Sequence, residues 1–144
     1  MNPSALQGKS ILITGASGFI GSFLVERALA EQMEVWAAVR KSSSRKYLQD
    51  PRIHFIELDF RNEELLCQQI AEHKSLHGAW HYVIHAAGAT KCRRREDFFH
   101  TNTDGTLRLA RTLVQQSALL ERFVFISSLS VMGAVREAEG TPPT

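Results

Sequence analysis

The sequence is poor in cysteine, nearly balanced in charge and without any long apolar run. Its two cysteines, Cys67 and Cys92, form no C-x-x-C pair, and no dense His/Cys tract accompanies them. That removes the ligand spacing of a zinc site and suggests a reducing, cytoplasmic compartment. A formal net charge of +2, with basic residues spread along the chain, is too small to imply a nucleic-acid or membrane partner. The opening stretch MNPSALQGKS has one lysine and no apolar core, so neither a signal peptide nor a membrane span is expected. No internal repeat or interdomain linker stands out, and 144 residues suit one domain with a single core. Four histidines, His73, His77, His81 and His85, are spaced by four as on a helix face, but the run crosses Gly78 and enters an apolar strand pattern. They read as ordinary surface or core histidines, and no metal site is expected.

What is present is an alternation of short apolar runs with helical periodicity. SILIT is β-branched and strand-like, and FIGSFLVERALAEQ after it repeats apolar residues at helical spacing. EVWAAVR (34–40) reads as a second strand, KSSSRKYLQDPR as a polar loop, and IHFIELD as a third strand ending at Asp59. RNEELLCQQIAEHK begins with acidic residues that suit a helix N-terminus and stops near Gly78. AWHYVIHAAG is a continuous apolar run, as expected of a strand covered on both faces. A long helical pattern follows at about 95–118, RFVFISS is a fifth strand, and the remainder is loop-like. Strands alternating with helices predict an α/β fold, a doubly wound parallel sheet of about five strands with helices on both faces. The ligand crevice of such a sheet lies at the carboxyl ends of its strands, where the strand order reverses.

The first strand gives way to the first helix through TGASGFIG. Gly15 permits a tight turn, Gly18 removes a Cβ where a pyrophosphate approaches the backbone, and Gly21 lets the helix pack closely on the sheet. The helix N-terminus then faces the phosphates. Glycines also punctuate ordinary loops, but here they follow a strand, open a helix and begin a βαβ unit.

The spacing T-G-x-x-G-x-x-G resembles the cofactor loop of the extended short-chain dehydrogenases/reductases, the group of nucleotide-sugar epimerases and dehydratases, dihydroflavonol reductases and 3β-hydroxysteroid dehydrogenases. LDFRN, HAAGATK, NTDGTLRL and FVFISSLSVMG follow in the family's order, so the resemblance covers essentially the whole chain. It implies one Rossmann domain over residues 1–144 that binds NAD(P), the N-terminal part of a longer protein whose catalytic helix and substrate domain come after it. Gly15, Ser17, Gly18, Phe19, Ile20 and Gly21 would line the pyrophosphate loop. Asp59 and Phe60 would meet the adenine; alternatively Asp59 caps the following helix. Ala86, Ala87 and Gly88 would let the ribose and phosphates pass. Asn102 would take a cofactor-side or structural role, or be an exposed helix residue. Arg40, followed by Lys41 and three serines, suits a 2′-phosphate and favours NADP(H), with NAD(H) open.

The resemblance also assigns Ser128 as the catalytic serine that orients the substrate oxygen, with Ser127 nearer the nicotinamide and Ser130 a competing assignment. Met132 stands where epimerases often carry tyrosine. The family's Y-x-x-x-K pair has no counterpart, because Tyr47 and Tyr82 both precede Ser128 and Tyr82 is followed four positions on by Ala86. The parent is therefore expected to be an oxidoreductase or epimerase acting on a small molecule, such as a nucleotide sugar or another hydroxy/keto compound, while this chain alone lacks turnover. The alternative is a non-catalytic NAD(P)-binding regulator or redox sensor. Lys91 and the triplet at Arg93, Arg94 and Arg95 would meet an anionic substrate or simply form a solvated helix start. Strand five is expected to be an apolar edge through which the chain self-associates.

Overall fold

The computed structural model describes residues 5–39, 48–86 and 104–126. The elements run β1 (Ser10–Thr14), α1 (Phe19–Ala30), β2 (Glu34–Val39), β3 (His54–Glu57), α2 (Glu63–His77), β4 (Trp80–His85), α3 (Gly105–Gln115) and β5 (Leu119–Phe125). The five strands form one sheet in the order β3-β2-β1-β4-β5, and every neighbouring pair is parallel. This is the expected doubly wound, Rossmann-type arrangement.

Alternation along the strands sorts the core into two layers. Ile11, Ile13, Val35 and Ala37 point to one face and pack with Val25, Ala28 and Leu29 of α1. Leu12, Trp36 and Val83 point to the other and pack with Leu66 and Ile70 of α2 and Leu109 and Leu113 of α3. Burial on both faces explains why the central strands read as unbroken apolar runs. The chain steps outward from β1 to β3, then α2 carries it back past β1 to β4. The reversal falls between β1 and β4, which sets the crevice at Thr14 and His85, register partners at the ends of those strands.

Helix α2 starts where its chemistry dictates. The Asn62 side chain accepts from the Leu65 amide at 3.1 Å, Glu63 and Glu64 occupy the first turn, and Gly78 ends the helix at φ +86°. Two of the differing strand ends have a clear cause in the packing. β3 ends at Glu57 rather than Asp59, because Leu58 turns into the core and the Asp59 amide donates to Gln69 Oε1 of α2 at 2.9 Å. β5 begins at Leu119 rather than Arg122, because a register shift between Trp80 and Tyr82 lets Leu119 pair with Trp80. Of the predicted helix over 95–118, α3 covers Gly105–Gln115 and ends three residues early; 95–103 lie outside the described residues. Among the described strands β3 and β5 are the edges, and β5 exposes Leu120, Val124 and Phe125 at the edge to which the sequence assigns self-association. No helix among the described residues is long and apolar enough to cross a membrane.

Candidate functional site

The turn after β1 is held by its own backbone. Gly15 has φ +65°, a left-handed conformation that favours glycine, and its carbonyl accepts from the Gly18 amide at 3.0 Å. Gly18 is the N-cap of α1; its carbonyl accepts from the Ser22 amide at 2.9 Å, and having no side chain it leaves the first-turn amides uncapped. No acidic residue stands in that first turn. The helix N-terminus therefore presents N–H groups and the positive end of its dipole without an internal counter-charge.

Gly21 has a different partner from the predicted one. A Cβ built on it would stand 2.7 Å from the Gly15 carbonyl carbon and 2.8 Å from Ala16 Cα, and closer still to the Gly15 oxygen. At Gly21 the helix thus abuts the turn backbone, while Val25, Ala28 and Leu29 make its contact with the sheet. This close approach brings the first turn of α1 onto the mouth of the loop. At Gly18 a Cβ would meet the Gly15 oxygen at 3.3 Å, a tight contact. Together these features form a backbone cradle at a helix N-terminus, suited to a diphosphate. Phe19 and Ile20 lie exposed at the start of the helix, Phe19 in edge-to-face contact with Phe23 at 5.0 Å, while Ser17 is half-buried in the turn.

Opposite the loop, Asp59 and Phe60 leave β3 towards α2. Asp59 does not cap the helix, since Asn62 does. Instead its Oδ1 accepts from the Arg61 amide at 2.9 Å, and among the described residues Oδ2 has no hydrogen-bond partner. Phe60 is fixed from three sides. Arg108 of α3 donates to its carbonyl at 3.2 Å, Gly105 faces its Cβ, and its ring meets His85 edge-on at 5.4 Å. Ala86, directly after β4, donates its amide to the Thr14 carbonyl at 3.3 Å and to Thr14 Oγ1 at 3.1 Å.

The structure therefore brings Gly15, Ser17, Gly18, Phe19, Ile20, Gly21, Asp59, Phe60 and Ala86 to the carboxyl side of the sheet. Arg40, Ala87, Gly88, Asn102, Ser127 and Ser128 lie outside the described residues, as do Ser130, Met132 and the basic cluster after β4. Sequence reasoning missed Thr14 and His85. Both are fully buried or nearly so, and Thr14 Oγ1 lies 2.6 Å from His85 Nδ1. Their signal was faint: a polar residue ending each of two apolar runs that become neighbours. Burial drives the His85 pKa down to about 4, so its imidazole is neutral near pH 7. The remaining histidines of the four-spaced run have structural partners. His73 stacks on Trp80 at 4.0 Å, His77 packs against Trp36 at 4.7 Å, and His81 Nδ1 accepts from the Ser10 amide at 3.1 Å.

Comparison with known proteins places this geometry. The NAD-dependent epimerase/dehydratase family matches residues 11–144. The chain is 32% identical over 133 residues to the bifunctional protein GAL10 of Candida maltosa, covering 86% of this chain and 84% of that one. It is 29% identical over 134 residues to a UDP-glucose 4-epimerase of Klebsiella pneumoniae, covering 85% and 91%. A solved UDP-glucose 4-epimerase of Thermotoga maritima, crystallised with UDP-glucose, superposes with a TM-score of 0.67 at 27% identity, over 83% of this chain and 38% of that one. Against other curated relatives the chain spans between 33% and 43% of their length.

Proposed function

The chain belongs to the NAD-dependent epimerase/dehydratase family, and on that premise we propose that its glycine turn holds the pyrophosphate of a nicotinamide dinucleotide laid across the β1/β4 crevice. The observation that carries this reading is the backbone cradle at Gly15, Gly18 and Gly21, where an uncapped helix N-terminus stands at the strand reversal. Asp59 would accept from the adenine amine, with Phe60 beside it, and the small residues Ala86, Ala87 and Gly88 would leave room for the ribose and phosphates. Asn102 completes that side. Arg40 with the following lysine and serines recognises a 2′-phosphate, so NADP(H) is the preferred form and NAD(H) the alternative.

When bound, the nicotinamide supplies the hydride acceptor or donor of the reaction. Ser128 would orient the substrate oxygen by a hydrogen bond, and Ser127 is assigned to the nicotinamide side. A hydroxy or keto compound is the substrate of the parent enzyme, and the similarity to UDP-glucose epimerases supports a nucleotide sugar. In the resembling enzymes a Y-x-x-x-K pair would exchange the proton with the substrate oxygen. The 144-residue chain is expected to bind the cofactor without turnover.

The test is a fluorescence titration of the chain with NADPH and with NADH. Saturable one-to-one binding, tighter for NADPH, is the expected result. Arg40→Ala reduces the preference about tenfold or more, the effect of losing one charged hydrogen-bonding partner. Absence of saturation with either dinucleotide contradicts the cofactor assignment, and an unchanged preference in Arg40→Ala contradicts the role given to Arg40.

A further inference from the structure

We propose that His85 is a positioning residue for this crevice: through Nδ1 its neutral imidazole accepts the Thr14 hydroxyl proton and so fixes the carboxyl ends of β1 and β4 at the spacing the dinucleotide requires. The inference rests on the cofactor reading above and goes beyond it, because it names a buried residue outside the cradle on which the cradle's geometry depends.

Thr14 and His85 are paired residues on neighbouring parallel strands, and both side chains are removed from water. The Ala86 amide donates to Thr14 Oγ1 at 3.1 Å, and an amide N–H has only that role. The Thr14 oxygen thus already accepts one hydrogen bond and lies 2.6 Å from His85 Nδ1; in the proposed arrangement the hydroxyl proton is directed to Nδ1 and the imidazole proton stands on Nε2. The strand ends are thus clipped from both sides. Ile126 extends the clip by donating its amide to the His85 carbonyl at 3.1 Å, so the end of β5 is tied to the same residue.

The surroundings fix the ionisation state as well as the position. From the segment after β3, Phe60 meets the imidazole edge-on at 5.4 Å; from β5, Phe125 and Phe123 lie at 5.9 and 6.3 Å; from β1 the contact is Thr14. None of these groups is ionisable or charged. A protonated imidazole would have two N–H donors and, among the described residues, no carboxylate in ring or hydrogen-bond contact with it, and its Nδ1 would no longer accept from Thr14. Because Phe60 is the residue assigned beside the adenine and Ala86 opens the small segment beneath the ribose, one neutral ring sets the separation of three parts of the crevice.

Three variants and one spectrum test this. His85→Asn keeps an acceptor near the Nδ1 position and is expected to bind NADPH within about threefold of the parent chain, whereas His85→Leu binds about tenfold more weakly or worse. Val83→Ala opens a cavity in the same strand away from the crevice and serves as the stability control: it lowers the unfolding midpoint and leaves the dissociation constant unchanged. Nitrogen NMR of the chain without added nucleotide is expected to show His85 protonated on Nε2 alone between pH 8 and 6. That readout needs no cofactor and does not depend on either leucine or asparagine variant folding. His85 protonated on Nδ1 overturns the proposal, as does equal weakening by Val83→Ala and His85→Leu, or full affinity in a folded His85→Leu. Failure of the parent chain to bind NADPH with the Nε2 tautomer intact would instead overturn the cofactor reading, together with the positioning role that rests on it.

Discussion

At the amino ends of the strands, polar side chains satisfy one another: Lys9 pairs with Glu121 at 2.9 Å and reaches the Tyr82 hydroxyl at 3.4 Å, while Ser10 and His81 share hydrogen bonds from backbone and side chain. At the carboxyl ends of the same strands the pattern is reversed. Among the described residues the first turn of α1 has no side-chain cap, Asp59 uses one carboxylate oxygen and presents the other, and the close polar contact of Thr14 with His85 is buried beneath the crevice rather than at its mouth. Both ends belong to one sheet with one core, so folding alone does not require the difference. Polar groups in native structures are generally paired, and unpaired ones collected at one place mark where a ligand supplies the partners.

The largest expected effect comes from filling the cradle. Gly21→Ala places a Cβ against backbone that has no side chain to move aside, so the first turn of α1 must shift off the loop. Loss of detectable NADPH binding and a stability loss of roughly 3 kcal/mol or more are expected. Denaturant unfolding and the NADPH titration measure the two effects. Retained binding in a folded Gly21→Ala chain would break the contrast between the two ends, because the cradle would then tolerate being filled.

Acid sharpens the contrast next. His85 has its pKa lowered by burial from 6.5 to about 4, and His73, buried beside Trp80, is lowered likewise. In each case the unfolded chain binds a proton that the folded chain refuses. The resulting stability is complete above pH 6.5 and is lost as pH falls from there to about 4. For His85 the difference amounts to roughly 3 kcal/mol, at 1.36 kcal/mol for each unit. The window is separate from that of Asp50, whose carboxylate is held down to about 2 by the Arg52 guanidinium beside it and titrates in the folded chain only at more acid pH. Urea unfolding at pH 7 and pH 5 is expected to show lower stability at pH 5, with a smaller drop in His85→Asn. A flat profile across this range would remove the claim that the carboxyl-end histidine is buried and neutral.

The smallest effect is expected at the amino ends. Lys9→Met removes a solvent-exposed pair with Glu121, of a kind that contributes little because water and salt screen it. Its unfolding midpoint is expected to change slightly and its NADPH titration not at all. Weakened binding in this variant would show that the two ends are not independent.

Much of this architecture was legible in the sequence because it is local. Unbroken apolar runs separated by helical periodicity required a parallel sheet covered on both faces, and Gly15 and Gly78 sit where turn and cap chemistry puts them, whereas the cap of α2 is Asn62 and not Asp59. Other features depend on which segments become neighbours. The end of β3 moved to Glu57 because Gln69, ten positions later on α2, captures the Asp59 amide. The partner of Gly21 proved to be the loop backbone and not the sheet, a matter of helix position that residue spacing does not encode. The Thr14–His85 contact joins residues 71 positions apart and exists only in the observed register of β1 against β4.

The account depends most on where a dinucleotide touches this chain. Titrating NADPH into isotope-labelled protein and following the backbone amides by NMR reads that directly. Saturable shifts at Gly15, Gly18, Gly21, Asp59, Phe60 and Ala86, with the amides of Ser10, His81, Tyr82 and Glu121 unmoved, are the predicted result. Shifts that fail to saturate, or that centre on the amino ends of the strands, would contradict it.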